Sequence, residues 1–325
     1  MITRRTLLTT TAAALAAPAF ITRVSAQAAW PSRPVRVVVP YPPAGGADTT
    51  ARLLFNKLGE MWGQQFVIDN RGGAGGTIGE AQVAKAEADG YTILHDATAF
   101  SVNSALYPNL TFDYSKDFAP VFLASLVPNI LVVNKDVAVK TPADVIELAK
   151  KTPGGLDFAS SGNGTLQHLC LELLRHLAQV PINHIPYRGG GLALNDVIGG
   201  QVKFYFSNGS ASVGLIQGGQ VRAIAHTGKG RLGTLPDLPA MQDTITGFEG
   251  YEWNGVFLPA NTAPEIVTKL NAGLNEAIRQ PDVQARLKTL NIDYRENTPD
   301  EFKTFVAAET EKWGKVVREA GIKLG

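Results

Sequence analysis

Val35-Arg36-Val37-Val38-Val39-Pro40-Tyr41-Pro42-Pro43-Ala44-Gly45-Gly46-Ala47-Asp48 is the stretch that decides the fold. A β-branched run closed by a proline predicts a short buried strand over 35–39. The loop 41–47, rich in proline and glycine, leads to Asp48, which suits a helix N-cap. Beyond it, Ala51, Leu54, Phe55, Leu58, Met61 and Trp62 recur at helical spacing and form one apolar stripe. Phe66-Val67-Ile68 predicts a second strand and 70–76 a second glycine loop. A helix to about residue 88 and a third strand over 91–94 follow. This β-α-β-α-β rhythm implies an α/β fold on a parallel sheet. Both glycine loops then lie at strand C-terminal ends, the edge where open α/β sheets bind ligands.

The rhythm restarts after a long apolar stretch, residues 121–133, which reads as the crossing into a second domain. A helix is expected over 142–151, a strand over 156–159 and a loop over 160–164. Thr165 caps a helix with Leu166, Leu169, Cys170, Leu173, Leu174 and Leu177 on one face. Strands over 182–185 and 202–206 end at Pro186-Tyr187-Arg188-Gly189-Gly190-Gly191 and Ser207-Asn208-Gly209. The chain returns to the first domain near 253–258 and ends in helices over 264–280 and 299–320. The expected division is therefore 29–128 plus 253–325 for domain 1 and 129–252 for domain 2.

At 325 residues the chain suits two domains. Its 45% hydrophobic and 18% charged content allows a large core. Residues 1–28 contain three arginines and no acids, then an apolar run, then small residues before Ala26 and Ala28. They read as a signal peptide cleaved near one of those alanines, with export to the periplasm. Thr3-Arg4-Arg5 before Leu7-Leu8 favours a twin-arginine signal over the ordinary secretory kind. Without this segment 27 basic residues face 29 acidic ones, a net −2. That balance offers no electrostatic footprint for nucleic acid or an anionic membrane. A single cysteine, Cys170, excludes an internal disulfide and reads as core.

Glycine-rich loops that open a helix direct backbone N–H groups and the positive end of the helix dipole at a ligand, a design suited to a carboxylate. Four segments fit it: 41–48, 70–77, 160–165 and 187–192. Arg71 and Arg188 flank two of them, to pair with a ligand carboxylate or to tie down their own loops. Gly73-Ala74-Gly75-Gly76-Thr77-Ile78-Gly79 imitates a dinucleotide fingerprint, but Ile78 stands where the frame requires glycine. No cofactor is therefore expected. His168, Glu172 and His176 share a helix face, yet the histidines are about 12 Å apart along the axis and cannot share one ion. A solvated polar face is the expectation there. Ser160 and Ser161 have no base nearby in sequence, and no catalytic motif is present, so no enzymatic activity is expected.

Taken in order, these segments resemble the tripartite tricarboxylate transporter receptors, also called Bug receptors. The resemblance runs from Trp30-Pro31-Ser32-Arg33-Pro34-Val35-Arg36 through the loop at 41–48 and Asn70-Arg71-Gly72-Gly73-Ala74-Gly75-Gly76. It continues through Asp89-Gly90-Tyr91-Thr92, Ser161-Gly162-Asn163-Gly164-Thr165 with His168-Leu169, and Pro186-Tyr187-Arg188-Gly189-Gly190. Gly199-Gly200-Gln201-Val202 and Val221-Arg222-Ala223-Ile224-Ala225 complete the series.

The resemblance implies a two-domain periplasmic-binding fold, type II-like, that closes on a small organic acid between its domains. It implies integral-membrane transporter subunits as partners; a binding module for a sensor or other partner is the alternative role, and an exported nucleotide-cofactor enzyme a less favoured one. Carried over to this chain, the ligand contacts would be Tyr41, Ala44, Gly45, Gly46, Asp48, Gly75 and Gly76 on one side. On the other they would be Ser160, Ser161, Thr165, Tyr187, Arg188, Ser207 and Asn208. The chain departs from the pattern at Ala44, Gly72, Leu192, Ser207 and Asn254, while Trp253 keeps a common aromatic. Ser207 replaces a frequent acid, which removes a negative charge from the expected cleft and points to a mono- or dicarboxylate, aromatic acids included, that lacks an ammonium group.

Overall fold

The computed structural model describes residues 30–43, 45–290 and 292–323. The expected signal peptide and the expected contact Ala44 lie outside the described residues. The first half opens with β1 (Val35–Val39), α1 (Gly46–Trp62), β2 (Phe66–Asn70), α2 (Thr77–Ala84), β3 (Thr92–Ala97) and α3 (Ala99–Leu106). Strand β1 pairs in parallel with both β2 and β3, as the rhythm requires. The connecting strand β4 (Phe118–Asn134) is 17 residues long.

The second half contains α4 (Pro142–Lys151), β5 (Leu156–Ser160), α5 (Leu166–Ala178), β6 (Ile182–Pro186), α6 (Gly190–Gly199), β7 (Phe204–Asn208), α7 (Gly209–Gln217) and β8 (Val221–His226). Strand β9 (Tyr251–Pro259) returns to β3 and β4, followed by α8 (Pro264–Arg279), α9 (Pro281–Thr289) and α10 (Pro299–Ala320).

Strand β4 explains how two sheets become one. Residues Phe118 to Pro128 pair antiparallel with β9. From Asn129 onward the same strand pairs with β7 on one edge and β8 on the other. The resulting order is β2-β1-β3-β9-β4-β7-β5-β6, with β8 also against β4. The long apolar run is thus a shared strand, buried along most of its length. The sheet is mixed rather than wholly parallel, because β4 and β9 run against their neighbours.

Helix α10 starts with a capping box, in which Thr298 Oγ1 accepts the Glu301 N–H and the Glu301 carboxylate accepts the Thr298 N–H. Its Phe302 and Val306 pack with Trp253 and Phe257 of β9. About two to three turns after Val306, Trp313, Val316 and Val317 join the core of α5 and β5, together with Val102 and Leu106 of α3. A single helix therefore holds both halves of the sheet.

Several elements go beyond the sequence reading. Helix α2 stops at Ala84, short of residue 88. Helices α3, α7 and α9 and strand β8 are additional. The first two are short and rich in serine, glycine or asparagine, and α9 is split from α8 by Pro281, which cannot continue the preceding hydrogen-bond ladder.

Candidate functional site

A cleft of about 660 Å³ lies between the two halves. On the first-half side it is bounded by the β1–α1 loop, Gly75, the end of β3 and residues of α3. On the other side are the loop before α5 and the N-cap of α7, while Glu252, Trp253 and Asn254 of β9, which pairs with both β3 and β4, complete the lining. Among the expected contacts, Tyr41, Gly45, Gly46, Gly75, Thr165 and Asn208 line it.

The first wall follows from local backbone chemistry. Gly45, not Asp48, occupies the N-cap of α1. Gly46 and Ala47 in its first turn face the cleft, where N–H groups lack intrahelical acceptors. Asp48 is buried within that turn, and its carboxylate accepts Asn70 Nδ2 at 3.0 Å and Arg52 Nε at 2.9 Å. The fold uses it to tie α1 to the end of β2, away from the cleft. Gly75 has φ +67°, and a Cβ there would come within 2.7 Å of the Tyr107 hydroxyl, so glycine is required on both counts.

Behind this wall lie two buried acids. Tyr41 donates its hydroxyl to Asp96 Oδ1 at 2.7 Å, which also accepts the Ala97 N–H at 2.7 Å. Glu80 accepts from the Tyr114 hydroxyl and from Asn103 Nδ2 at 3.3 Å. Burial, then the charge of Asp96, pushes Glu80 far above the carboxylate range; burial also pushes Asp96 up. Two anions so close in an apolar setting do not both ionise, and Glu80 holds the proton. The wall therefore carries less negative charge than its residue count suggests.

The second wall differs. Thr165 Oγ1 caps α5 by accepting the His168 N–H, as expected. Glu252 is half-buried on the cleft, accepting Gln167 Nε2 at 2.8 Å on one oxygen and Asn208 Nδ2 on the other. Asn208 thus lines the cleft with its amide directed at Glu252. Burial pushes the Glu252 carboxyl up, while the two amide donors pull it back. The absent acid at Ser207 is therefore not an absent acid in the cleft, and the charge argument against an ammonium-bearing ligand falls.

The remaining expected contacts do not line this cleft. Ser160 is fully buried and its Oγ lies 2.6 Å from His184 Nε2. Ser161 Oγ is 2.8 Å from the Tyr205 hydroxyl, and Tyr187 donates its hydroxyl to Asp196 at 2.7 Å. Gly76 and Ser207 are buried, and Arg188 is exposed. Arg71 pairs with Asp69 at 2.9 Å, tying down its own loop.

Ser160 next to a base does not make a nucleophile, because no ligand reaches a fully buried hydroxyl. Burial, then the charge of His168, pushes His184 down to about 4. His168 stacks on His184 with ring centroids 3.8 Å apart. His168 and Glu172 are both buried, so this face of α5 is not solvated as its spacing suggested; β6 covers it. His176 remains half-exposed and meets Glu319 at 3.2 Å. Among the described residues no group of side chains could hold a metal ion. Cys170 is core, as expected.

Two sheet halves joined by long shared strands, with helix N-termini directed into the cleft between them, define a solute-binding protein. Residues 50–322 match the tripartite tricarboxylate transporter family receptor profile, and the chain belongs to that family of receptors, which are not enzymes. It is 39% identical over 94% of its length to the UPF0065 protein in the tcbD-tcbE intergenic region of Pseudomonas sp. strain P51, covering 92% of that protein. It is 35% identical to Protein BugT of Bordetella pertussis, covering 91% of each chain.

Among solved structures, it resembles Rhodopseudomonas palustris Rpa4515 with adipate, at TM-score 0.80 and 35% identity over 91% of this chain and all of that one. MatC from Rhodopseudomonas palustris with bound malate follows, at TM-score 0.75 and 32% identity over 88% of this chain and 99% of that one. The periplasmic binding protein BugD gives TM-score 0.76 and 34% identity over 91% of this chain and all of that one.

Proposed function

We propose that this receptor captures a small organic carboxylate in the cleft and delivers it to integral-membrane subunits of a tripartite tricarboxylate-type transporter. The observation that carries the reading is the first turn of α1. Gly45, Gly46 and Ala47 present a helix N-terminus to a cleft that no lysine or arginine lines among the described residues. Backbone donors and the helix dipole suit an anion without a cationic side chain. Adipate and malate in the solved relatives support the same chemistry. Tyr41, Gly45, Gly46, Gly75, Thr165 and Asn208 form the contact set.

The lobes are 29–128 plus 253–325 and 129–252, closing about β4 and β9. Residues 1–28 direct export to the periplasm by the twin-arginine route, with cleavage near Ala26 or Ala28. Among the described residues no helix is long and apolar enough to cross a membrane. Isothermal titration with a panel of mono- and dicarboxylates tests the reading. Saturable one-to-one binding is expected, with the ligand recovered unchanged by NMR. Binding of none of the panel, or conversion of a bound acid, would contradict it.

A further inference from the structure

Glu252 is the one charged side chain lining the cleft among the described residues. Its two oxygens each accept one amide hydrogen bond, from Gln167 and Asn208, so each retains a free acceptor site. Among the described residues no ion pair reaches it; burial pushes its carboxyl up and the two amides pull it back. Beside it Gln167 Oε1, in a residue only 2% exposed, accepts no hydrogen bond. The acceptor sites that Glu252 keeps free on the cleft are costly to leave dry unless a ligand supplies a donor.

The opposite wall has the reverse polarity. There the first turn of α1 offers N–H groups and the positive end of a dipole. A bipolar ligand satisfies both walls, its carboxylate on α1 and its cationic nitrogen on Glu252. A plain diacid would set a second anion against Glu252, at a cost that rises with burial.

We propose that Glu252 is the specificity-determining residue of this cleft and that the ligand is an aminocarboxylate, an organic acid carrying a protonated amine. This rests on the carboxylate-receptor reading above. Glu252 has a competing structural role, since Gln167 lies in the first turn of α5 and Asn208 caps α7, and an acid there steadies both helix ends. That role alone would affect all ligands equally.

Isothermal titration of the wild type and Glu252→Gln separates the two. The panel is aspartate, glutamate, 4-aminobutanoate and 6-aminohexanoate against succinate, malate, glutarate and adipate. The wild type is expected to bind the best aminocarboxylate at least about tenfold more tightly than its matched diacid, the value of one charge-assisted hydrogen bond. Glu252→Gln is expected to remove that preference. A diacid as the tightest wild-type ligand, or equal weakening of both classes in the variant, overturns the inference and leaves the carboxylate reading standing. Binding of neither class by the wild type overturns both. If the variant does not fold by circular dichroism, the wild-type ratio decides.

Discussion

The α1 side of the cleft and the β9 side solve the same problem with opposite means. On the α1 side, recognition falls to backbone N–H groups, and the acids nearby are buried behind Tyr41 with one proton held between them. On the β9 side an acid stands on the surface of the cleft, kept in place by two side-chain amides. The difference teaches that counting acids does not give the charge a ligand meets. Glu80 and Asp96 contribute less than two charges, whereas the single Glu252 is directly presented.

The largest effect should come from the scaffold common to both walls. Trp253 is 1% exposed, lines the cleft beside Glu252 and packs on Phe302 and Phe305 of α10. Trp253→Ala is expected to cost about 3–5 kcal/mol of stability, read from urea unfolding, because the neighbouring rings cannot fill so large a void. A loss below about 1 kcal/mol would mean that α10 does not brace the cleft.

Tyr41→Phe probes the α1 side alone. It leaves the buried Asp96 Oδ1 with only the Ala97 N–H, and a cost of about 1–3 kcal/mol is expected by the same measurement. Affinity should fall with it, since Tyr41 also lines the cleft. An unchanged midpoint would show that the Tyr41–Asp96 bond adds nothing net.

Two groups, one in each half of the molecule, titrate in opposite directions. Glu80 has a raised folded pKa, so its contribution is full below the carboxylate range near 4.3 and is lost as pH rises above it. Glu80→Gln should flatten the alkaline limb of the stability–pH curve. His184 has a folded pKa lowered to about 4, so its contribution is full above the unfolded value near 6.5 and is lost as pH falls toward 4. His184→Gln should flatten the acid limb, by less than about 1 kcal/mol because the ring is only half-buried. Urea midpoints from pH 4 to 10 test both, and parallel curves for variant and wild type would refute the assignment.

The smallest effect is expected at Arg188, exposed and outside the cleft. Arg188→Ala should change stability by less than about 0.5 kcal/mol and leave titration affinities unchanged within error. A clear loss of affinity would return this residue to the binding surface.

How much of this was legible in the chain depended on how local each signal was. The β1–α1 and β5–α5 units were readable because strand, loop, cap and apolar stripe follow one another without interruption. Thr165 as a cap is the clearest case. Helix α3, eight residues in which two serines and an asparagine interrupt the apolar positions, is too short to show such a stripe, although it supplies Asn103 to the cleft.

Glu252 was invisible for a different reason. Within β9 it is one acid before Trp253, and only the approach of α5 and α7 sets it on the cleft. Ser160 and His184 are 24 residues apart and meet because β5 and β6 pair in parallel. Ser161 and Tyr187 sat in loops of the right composition, but their hydroxyls bond Tyr205 and Asp196 instead. Side-chain direction, not loop composition, separated the cleft from its surroundings.

Native mass spectrometry of the freshly exported protein, followed by identification of the released molecule, tests the central claim most directly. One small organic acid per chain, displaced by excess of the same acid, is the predicted result. A bound nucleotide or a neutral solute without a carboxylate would contradict the account.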